Sequence, residues 1–243
     1  MLYHHVSPER EITPQGFERQ LRWLLDQGYQ SLSMSELVAV IKGQAEPERP
    51  GFVVTFDDGY LDNWTTAFPI LKKLSVQAVM YLVTERIGKT DGFISWMDAR
   101  AMAASGLVEF GSHTHTHRHF IRTERYDNLE QELMVSKQLV ETELKRPCTH
   151  LAWPWGDYET GWWPLLEKTG FQTAMTTQAG ANTVGTPPFA LKRFKVSRED
   201  LEWLAGRCRW NSRALAARSF ALMYGWDRRL KTWLHAESPY SHG

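Results

Sequence analysis

The chain has 243 residues, of which 42% are apolar and 23% are charged, and its formal net charge at pH 7 is zero. This size and apolar content predict one α/β domain with a full core, and the zero net charge excludes a global electrostatic field that would attract nucleic acid. With two cysteines, no apolar run long enough to cross a bilayer and no signal-peptide pattern, the sequence predicts a cytoplasmic protein without a disulfide framework.

Strand and helix patterns alternate along the chain, which predicts a parallel sheet or barrel. Thr13 and Pro14 mark the start of the first helix, and Gly28 marks its end. The predicted strands cover residues 2–6, 52–56, 78–83, 107–110, 150–153, 171–175 and 189–196, and the predicted helices cover 13–28, 33–42, 60–73, 96–104 and 127–144. In barrels of this kind the functional residues lie on loops that follow the strands.

Two adjacent acids, Asp57 and Asp58, directly follow the apolar run 52–56, which is predicted to be a buried strand. Adjacent carboxylates at the end of a buried strand repel each other and lose hydration, and a cation is the usual compensation. Because side chains diverge along an extended backbone, one carboxylate can bind a metal while its neighbour acts as a base. The alternative is a turn in which Asp-Asp-Gly merely caps the next helix.

A histidine-rich segment, 111–119, reads Gly-Ser-His-Thr-His-Thr-His-Arg-His and follows the next apolar stretch, 107–110. His113 and His117 are four residues apart, which would place both imidazoles on one face of a helical turn. This spacing is typical of zinc sites in which three protein ligands leave one position open for water, and Asp58 would be the third ligand. A solvated polar loop and an adventitious metal-binding loop are the alternatives.

Three motifs resemble those of the polysaccharide deacetylases, the NodB-homology group or carbohydrate esterase family four. They are Thr-Phe-Asp-Asp-Gly at 55–59, His-Thr-His-Thr-His at 113–117 and Ala-Trp-Pro-Trp-Gly at 152–156. The resemblance implies a distorted, incomplete (β/α) barrel of about seven strands. It also implies one divalent metal, usually zinc, and removal of acetyl groups from N-acetylated sugars. Histidine and carboxylate ligands suit zinc, and cobalt and nickel fit them too.

The N-terminal pair Tyr3-His4 resembles a permuted branch of this family, the poly-N-acetylglucosamine deacetylases. In that branch an N-terminal Tyr-His carries the histidine that protonates the leaving amine. The resemblance therefore implies that His4 is the general acid, and a strand-end histidine with no special role is the alternative. Since side chains alternate along a strand, His5 should face away from His4.

The third motif departs from the family pattern, because many members carry an arginine before the Pro-Tyr pair to hold the catalytic aspartate. This chain has Trp153 there, so the partner of Asp57 must come from elsewhere, and Arg193 on the last predicted strand is the candidate. Trp153 and Trp155 could stack on sugar faces, although ordinary packing is as good an explanation for either one. The backbone N–H of Trp155 would be an oxyanion donor beside the metal.

These residues together predict metal-assisted amide hydrolysis, with Asp57 as the base and His4 as the acid. His115 and His119 are expected to be exposed and receive no role. The predicted substrate is an N-acetylhexosamine in a polysaccharide or glycolipid, such as a cell-surface glycan or lipopolysaccharide precursor. A deformylase or other amide hydrolase on the same scaffold, and a non-catalytic glycan-binding module, are the alternatives.

The resemblance ends near residue 200, so we predict a catalytic domain, 1–200, and a helical C-terminal extension, 201–243. Basic residues run beside an apolar stripe over 207–234. Such a helix can pack on the barrel with its arginines solvated, or it can rest on the cytoplasmic face of the inner membrane. The second arrangement would make the protein peripheral at that membrane and would suit a lipid-linked sugar substrate.

Overall fold

The computed structural model describes residues 1–120 and 128–212. The helices are α1 (Pro14–Asp26), α2 (Met34–Ile41), α3 (Phe68–Leu74), α4 (Trp96–Ala104), α5 (Leu129–Leu144), α6 (Trp163–Lys168) and α7 (Leu201–Ser212). The strands are β1 (Leu2–Tyr3), β2 (Gln30–Ser31), β3 (Gly51–Phe52), β4 (Val54–Phe56), β5 (Ala78–Leu82), β6 (Val108–Ser112), β7 (His150–Ala152) and β8 (Thr173–Met175). Helix α6 is not among the predicted elements, and most of the observed strands are shorter than the predicted ranges.

Six strands form one parallel sheet in the order β1-β4-β5-β6-β7-β8. The sheet curls into a half-barrel with helices on its outside, which confirms the predicted incomplete barrel. Strands β2 and β3 pair separately as a small parallel sheet. The fold therefore brings the carboxyl ends of the central strands together at one edge.

The last predicted strand, 189–196, is not a regular strand, and this prediction is wrong in detail. Residues Pro188–Ala190 form a 3₁₀ turn, and only isolated bridges pair Leu191 with Met175 and Lys195 with Leu2. The backbone N–H groups of Lys192 and Arg193 donate to Asn182 and Gln178, which lie outside the strands, so the ladder is interrupted there. The segment nevertheless spans the gap between β8 and β1, and it carries Arg193 into the barrel.

Side-chain caps explain where several helices begin. Thr13 accepts a hydrogen bond from the backbone of Gly16 at the start of α1. Ser33 forms a capping box with Glu36 at α2, and Ser95 does the same with Asp98 at α4. These reciprocal bonds satisfy backbone donors that a helix start otherwise leaves unpaired. Each of these three helices therefore begins at a residue whose side chain caps it.

The core lies between the sheet and its covering helices, and every side chain of β5 is buried. A strand covered on both faces is expected to be continuously apolar. Helix α7 also packs on this body, since Leu204 is fully buried in the main core. Residues 213–243, and with them most of the predicted membrane-facing segment, lie outside the described residues. Among the described residues no helix is long and apolar enough to span a membrane.

Candidate active site

The carboxyl ends of β4 and β6 carry the predicted site residues. Asp57 and Asp58 follow β4 directly, and His113 follows β6. Only β5 separates the two strands in the sheet, and all three strands run parallel. The side chains that follow them are therefore brought to one edge of the half-barrel, where barrel enzymes place their sites.

A sharp turn follows β4 and directs the second acid. Asp58 has a left-handed backbone with φ of 74°, and Gly59 follows at 87°. A Cβ atom on Gly59 would lie 2.8 and 2.9 Å from the side chains of Ile87 and Leu82. The turn therefore needs glycine both for its conformation and for the close approach of two apolar side chains.

Asp58, His113 and His117 form a compact set of candidate metal ligands. One donor atom from each lies within 4.8 Å of the other two. Oδ1 of Asp58 is 3.4 Å from Nε2 of His117 and 3.7 Å from Nε2 of His113. Within the described residues this buried oxygen accepts no hydrogen bond, which is costly unless a cation is bound. The set therefore fits one divalent cation.

The hydrogen bond on the far side of His113 fixes its ring. Nδ1 lies 2.8 Å from the carbonyl oxygen of Ala152 at the end of β7. Because a carbonyl only accepts, Nδ1 donates this hydrogen bond, and Nε2 is left on the side of the ring that faces Asp58. Burial, followed by the neighbouring His113, lowers the pKa of His117 to about 4. The imidazole of His117 is therefore neutral at pH 7, as a metal ligand must be.

The predicted helical turn over 113–117 is wrong. Residues 113–117 form an irregular loop in which Thr114 and His117 have left-handed backbones, with φ of 65° and 61°. Ser112 accepts a hydrogen bond from the backbone of Thr114, and Thr114 accepts one from the backbone of His117. Such local side-chain bonds compete with helix formation. The two rings still meet, with centroids 4.7 Å apart.

Asp57 is paired with Arg193 on both carboxylate oxygens. The Nη1–Oδ1 and Nη2–Oδ2 distances are both 2.6 Å, and both side chains are almost fully buried. Nε of Arg193 donates to the carbonyl of Thr176. Burial raises the pKa of the Asp57 carboxyl. The guanidinium of Arg193, and then His113, lower this pKa by more than burial raises it, so it lies below its usual value. The structure contains the arginine partner that the sequence predicted, and its catalytic role stays a prediction.

His4 lies beside the two acids, with its Nδ1 buried and without a hydrogen-bond partner in the described residues. Burial lowers the pKa of His4, and the charges of Asp57 and Asp58 oppose that effect only in part. The pKa of His4 therefore lies below that of an ordinary histidine. An imidazole next to a carboxylate pair, with a ring nitrogen that has no partner in the described residues, is able to take up and deliver a proton.

The prediction that strand alternation turns His5 away from His4 is wrong, because β1 ends at Tyr3 and both residues line one cavity. Nδ1 of His5 lies 2.8 Å from Oδ2 of Asp62, and its ring stacks on Tyr60 at 3.8 Å between centroids. Burial and the neighbouring Asp58 raise the pKa of Tyr60 to about 12, so this phenol keeps its proton. A cavity of about 260 Å³ opens beside His4, His5 and Tyr60.

The two tryptophans of the third motif differ in exposure. Trp153 is completely buried, and its Nε1 donates to the carbonyl of Phe189. The prediction that Trp153 stacks on a sugar is therefore wrong, because the residue after β7 continues its inward alternation into the core. Trp155 is 54% exposed, and its ring lies 5.1 Å from that of His117.

His115 and His119 are half-buried, so the prediction that they are exposed is wrong. Nδ1 of His115 lies 2.9 Å from the hydroxyl of Thr84. The ring of His119 stacks on Trp155 at 4.3 Å and lies 3.5 Å from Asp157. Their contacts with neighbouring strands and loops were not visible in the sequence, since alternation of His with Thr is equally typical of a solvated loop.

Sequence reasoning also missed Glu132, a buried acid on α5. Its carboxylate accepts hydrogen bonds from the backbone of His115 and Thr116, within the ligand-bearing loop. The available signal was its place next to Leu133, on the apolar stripe of a helix whose acids otherwise face solvent.

A model of the polysaccharide deacetylase family matches residues 44–174. The Bacillus subtilis protein YxkH is 30% identical over 199 residues, which cover 81% of this chain and 70% of that protein. The poly-β-1,6-N-acetyl-D-glucosamine N-deacetylase of Staphylococcus aureus strain MRSA252 is 23% identical over 207 residues, covering 81% and 71%. The structure of IcaB from Ammonifex degensii matches with a TM-score of 0.79 and 26% identity over 85% of this chain and 94% of that chain. Polysaccharide deacetylase BC0361 from Bacillus cereus matches with a TM-score of 0.73 and 26% identity, over 85% and 67%.

Proposed function

The chain belongs to the polysaccharide deacetylase family, and we propose that it is a metal-dependent hydrolase that removes the N-acetyl group from an N-acetylhexosamine in a polysaccharide or glycolipid. The observation that carries this proposal is the juxtaposition of two groups at one edge of the sheet. Three candidate ligands, Asp58, His113 and His117, lie within 4.8 Å of one another. Asp57, held by Arg193, lies directly beside them, 3.6 Å from His113.

Asp58, His113 and His117 would hold one divalent cation, for which zinc is the best fit and cobalt and nickel also suit the donors. A cation there supplies Lewis-acid polarisation of the acetyl carbonyl and lowers the pKa of the attacking water. The chain's own residues supply the rest: they orient the ligands, accept and deliver protons, and bind the sugar. The buried, unbonded Asp58 Oδ1 supports this donor set.

Asp57 is proposed to accept the proton of the attacking water. Each of its oxygens uses one lone pair for Arg193 and keeps another. Oδ2 faces the ligands, since it lies 3.6 Å from Nε2 of His113. The lowered pKa keeps Asp57 ionised at neutral pH, so the base is always available. The two bonds from Arg193 also fix the orientation of this carboxylate.

His4 is proposed to deliver a proton to the nitrogen of the departing amine. Without protonation this nitrogen is a poor leaving group. Because burial lowers the pKa of His4, its protonated form gives up the proton readily. The cavity beside His4, also lined by Arg10 and Lys195, offers room for the sugar that leaves.

The backbone N–H of Trp155 is proposed as an oxyanion donor, and its indole as a platform for a sugar ring. An indole offers a broad apolar plane to the C–H groups of a pyranose. The ring of Trp155 is half-exposed beside His117, and His119 stacks on it. A poly-β-1,6-N-acetyl-D-glucosamine deacetylase among the relatives supports a β-linked glucosamine polymer as the first substrate to test.

The test is release of acetate from β-1,6- and β-1,4-linked N-acetylglucosamine oligomers, measured with zinc-loaded protein and again after treatment with a chelator. We expect acetate from at least one oligomer, loss of release with the chelator, and recovery with zinc. Release of formate from a formylated sugar, with none of acetate, would favour the other amide hydrolases. Binding of oligomers with no hydrolysis in the presence of zinc would favour a glycan-binding module.

A further inference from the structure

Glu132 on α5 is a buried acid whose hydrogen bonds to the described residues all go to one loop. Its side chain is part of a residue only 8% exposed. Oε2 accepts hydrogen bonds from the backbone N–H groups of His115 and Thr116, at 2.9 and 2.8 Å. Oε1 accepts one from the hydroxyl of Thr116 at 2.7 Å. Three donors thus compensate the burial of this charge.

The loop that Glu132 holds is the one that connects two of the proposed metal ligands. His113 is fixed by the sheet, because its N–H donates to Leu82 of β5. Within the described residues the backbone N–H of His117 donates to Thr114 of the same loop and not to the sheet, so the position of His117 depends on the three residues between. Thr114 and His117 themselves adopt left-handed backbones. Non-glycine residues persist in that conformation only where their surroundings determine it.

A second residue of α5, Ser136, holds the other end of the same loop. Its hydroxyl lies 2.7 Å from that of Ser112, and Ser112 in turn accepts a hydrogen bond from the backbone of Thr114. Glu132 and Ser136 are four residues apart and therefore share one face of the helix. Helix α5 thus holds the loop at two points. Ser136 holds it before Thr114, and Glu132 holds it just before His117.

We infer that Glu132 is a positioning residue of the metal site: by holding the backbone of His115 and Thr116, it sets the direction in which His117 presents Nε2 to Asp58. This inference rests on the proposed function, since it takes the three ligands as a metal site. Groups that orient metal ligands from outside the coordination sphere typically contribute 10- to 100-fold to metal affinity. Glu132 does so through the backbone and not through a ligand side chain.

Two substitutions separate hydrogen bonding from charge. Glu132→Gln removes the charge but keeps an oxygen that can accept from both N–H groups. Its amide N–H can donate to the hydroxyl of Thr116, because a hydroxyl accepts hydrogen bonds as well as donating them. Glu132→Asp keeps the charge but is one methylene shorter, so its carboxylate cannot reach both N–H groups. Glu130→Gln is the matched control, because Glu130 lies on the same helix, is half-exposed and pairs with Lys168.

The experiment measures zinc affinity by competition with a chromophoric chelator, for the full chain and each variant, with circular dichroism and thermal unfolding of the metal-free proteins to establish that they are folded. We expect Glu132→Asp to bind zinc about 10- to 100-fold more weakly than the unmodified chain. Glu132→Gln should stay within about threefold, and Glu130→Gln should be unchanged, because neither loses the bonds to the loop.

Unchanged zinc affinity in a folded Glu132→Asp protein would overturn the inference. A loss in Glu132→Gln as large as that expected for Glu132→Asp would also overturn it, since charge and not position would then be responsible. If the Asp variant does not fold, Glu132→Ala, which removes all three bonds, replaces it and should show the same loss of about 10- to 100-fold. Failure of the unmodified chain to bind zinc would instead refute the proposed metal site itself.

Discussion

Asp57 and Arg193 are 136 residues apart in the chain, yet both carboxylate oxygens of Asp57 are bonded to the guanidinium of Arg193 at 2.6 Å. The first residue follows the central strand β4, and the second lies in the segment that spans the open side of the half-barrel. The irregular segment 189–196 is therefore directly linked, through Arg193, to the proposed base at the end of β4.

Arg193→Lys should lower kcat strongly while leaving zinc content unchanged. Lysine keeps the charge but cannot form the two parallel bonds that hold both oxygens of Asp57. A displacement of the base by about 1 Å is expected to reduce turnover on the order of a hundredfold. Steady-state kinetics and elemental analysis check this. Normal kcat in Arg193→Lys would show that only the charge of Arg193 matters.

His4→Gln should lower turnover by about 10²- to 10⁴-fold, the usual cost of a lost general acid. The fall in kcat/KM with rising pH should also disappear, because a histidine acid becomes inactive as it loses its proton. Burial lowers the pKa of His4, so His4 loses its proton at a lower pH than an ordinary histidine does. His5→Gln is the control, since His5 is bonded to Asp62. A larger effect of His5→Gln than of His4→Gln would reverse the assignment.

Trp155→Ala should raise KM for an oligosaccharide by about two- to twelvefold, which corresponds to about 0.5–1.5 kcal/mol for an aromatic contact. Its effect on zinc content should be negligible. Trp210→Ala is a matched control, because Trp210 is 53% exposed against 54% for Trp155 and lies on α7. Equal KM values for both variants would mean that Trp155 does not contact the sugar.

The motif residues could be predicted from the sequence because their positions depend on simple rules. The apolar strand before Asp57 and the one before His113 indicated parallel strands, and the carboxyl ends of such strands meet at one edge. The backbone shape of the histidine loop could not be predicted in this way. It depends on bonds from Ser112 and Thr114, which compete with the helical turn that the spacing suggests.

Tertiary contacts decide the residues that the sequence left open or misassigned. Trp153 and Trp155 have the same side chain and differ only in which way the chain directs them, so composition could not separate the buried one from the exposed one. Glu132 is a similar case, because the donors that compensate its charge come from a loop more than fifteen residues earlier. Arg193 was predicted because this chain has Trp153 where many family members carry the arginine that holds the aspartate, so another arginine had to replace it.

The fold should lose stability as pH falls, in part because of His150. Burial lowers the pKa of this histidine to about 4, whereas an unfolded histidine has a pKa of about 6.5. Between these values the unfolded chain binds a proton that the folded one does not, so acidification favours unfolding. From pH 7 to 5 the loss attributable to His150 is about 2 kcal/mol.

Urea unfolding of the metal-free protein at both pH values measures this loss. His150→Gln, which can still bond to Thr173, should show a smaller decrease than the unmodified chain. The comparison isolates His150 from other buried histidines that titrate in the same direction. Identical pH dependence of the two proteins would show that His150 is already protonated in the folded state or exchanges its proton without cost.

The most direct test of the proposed site compares Asp57→Asn with Asp58→Ala, measuring zinc occupancy by elemental analysis and acetate release on the same samples. The two residues are adjacent and both buried, yet we assign the first as the base and the second as a metal ligand. Asp57→Asn should retain zinc and lose acetate release, whereas Asp58→Ala should lose both. Full zinc occupancy in Asp58→Ala, or acetate release at the unmodified rate in Asp57→Asn, would contradict this account.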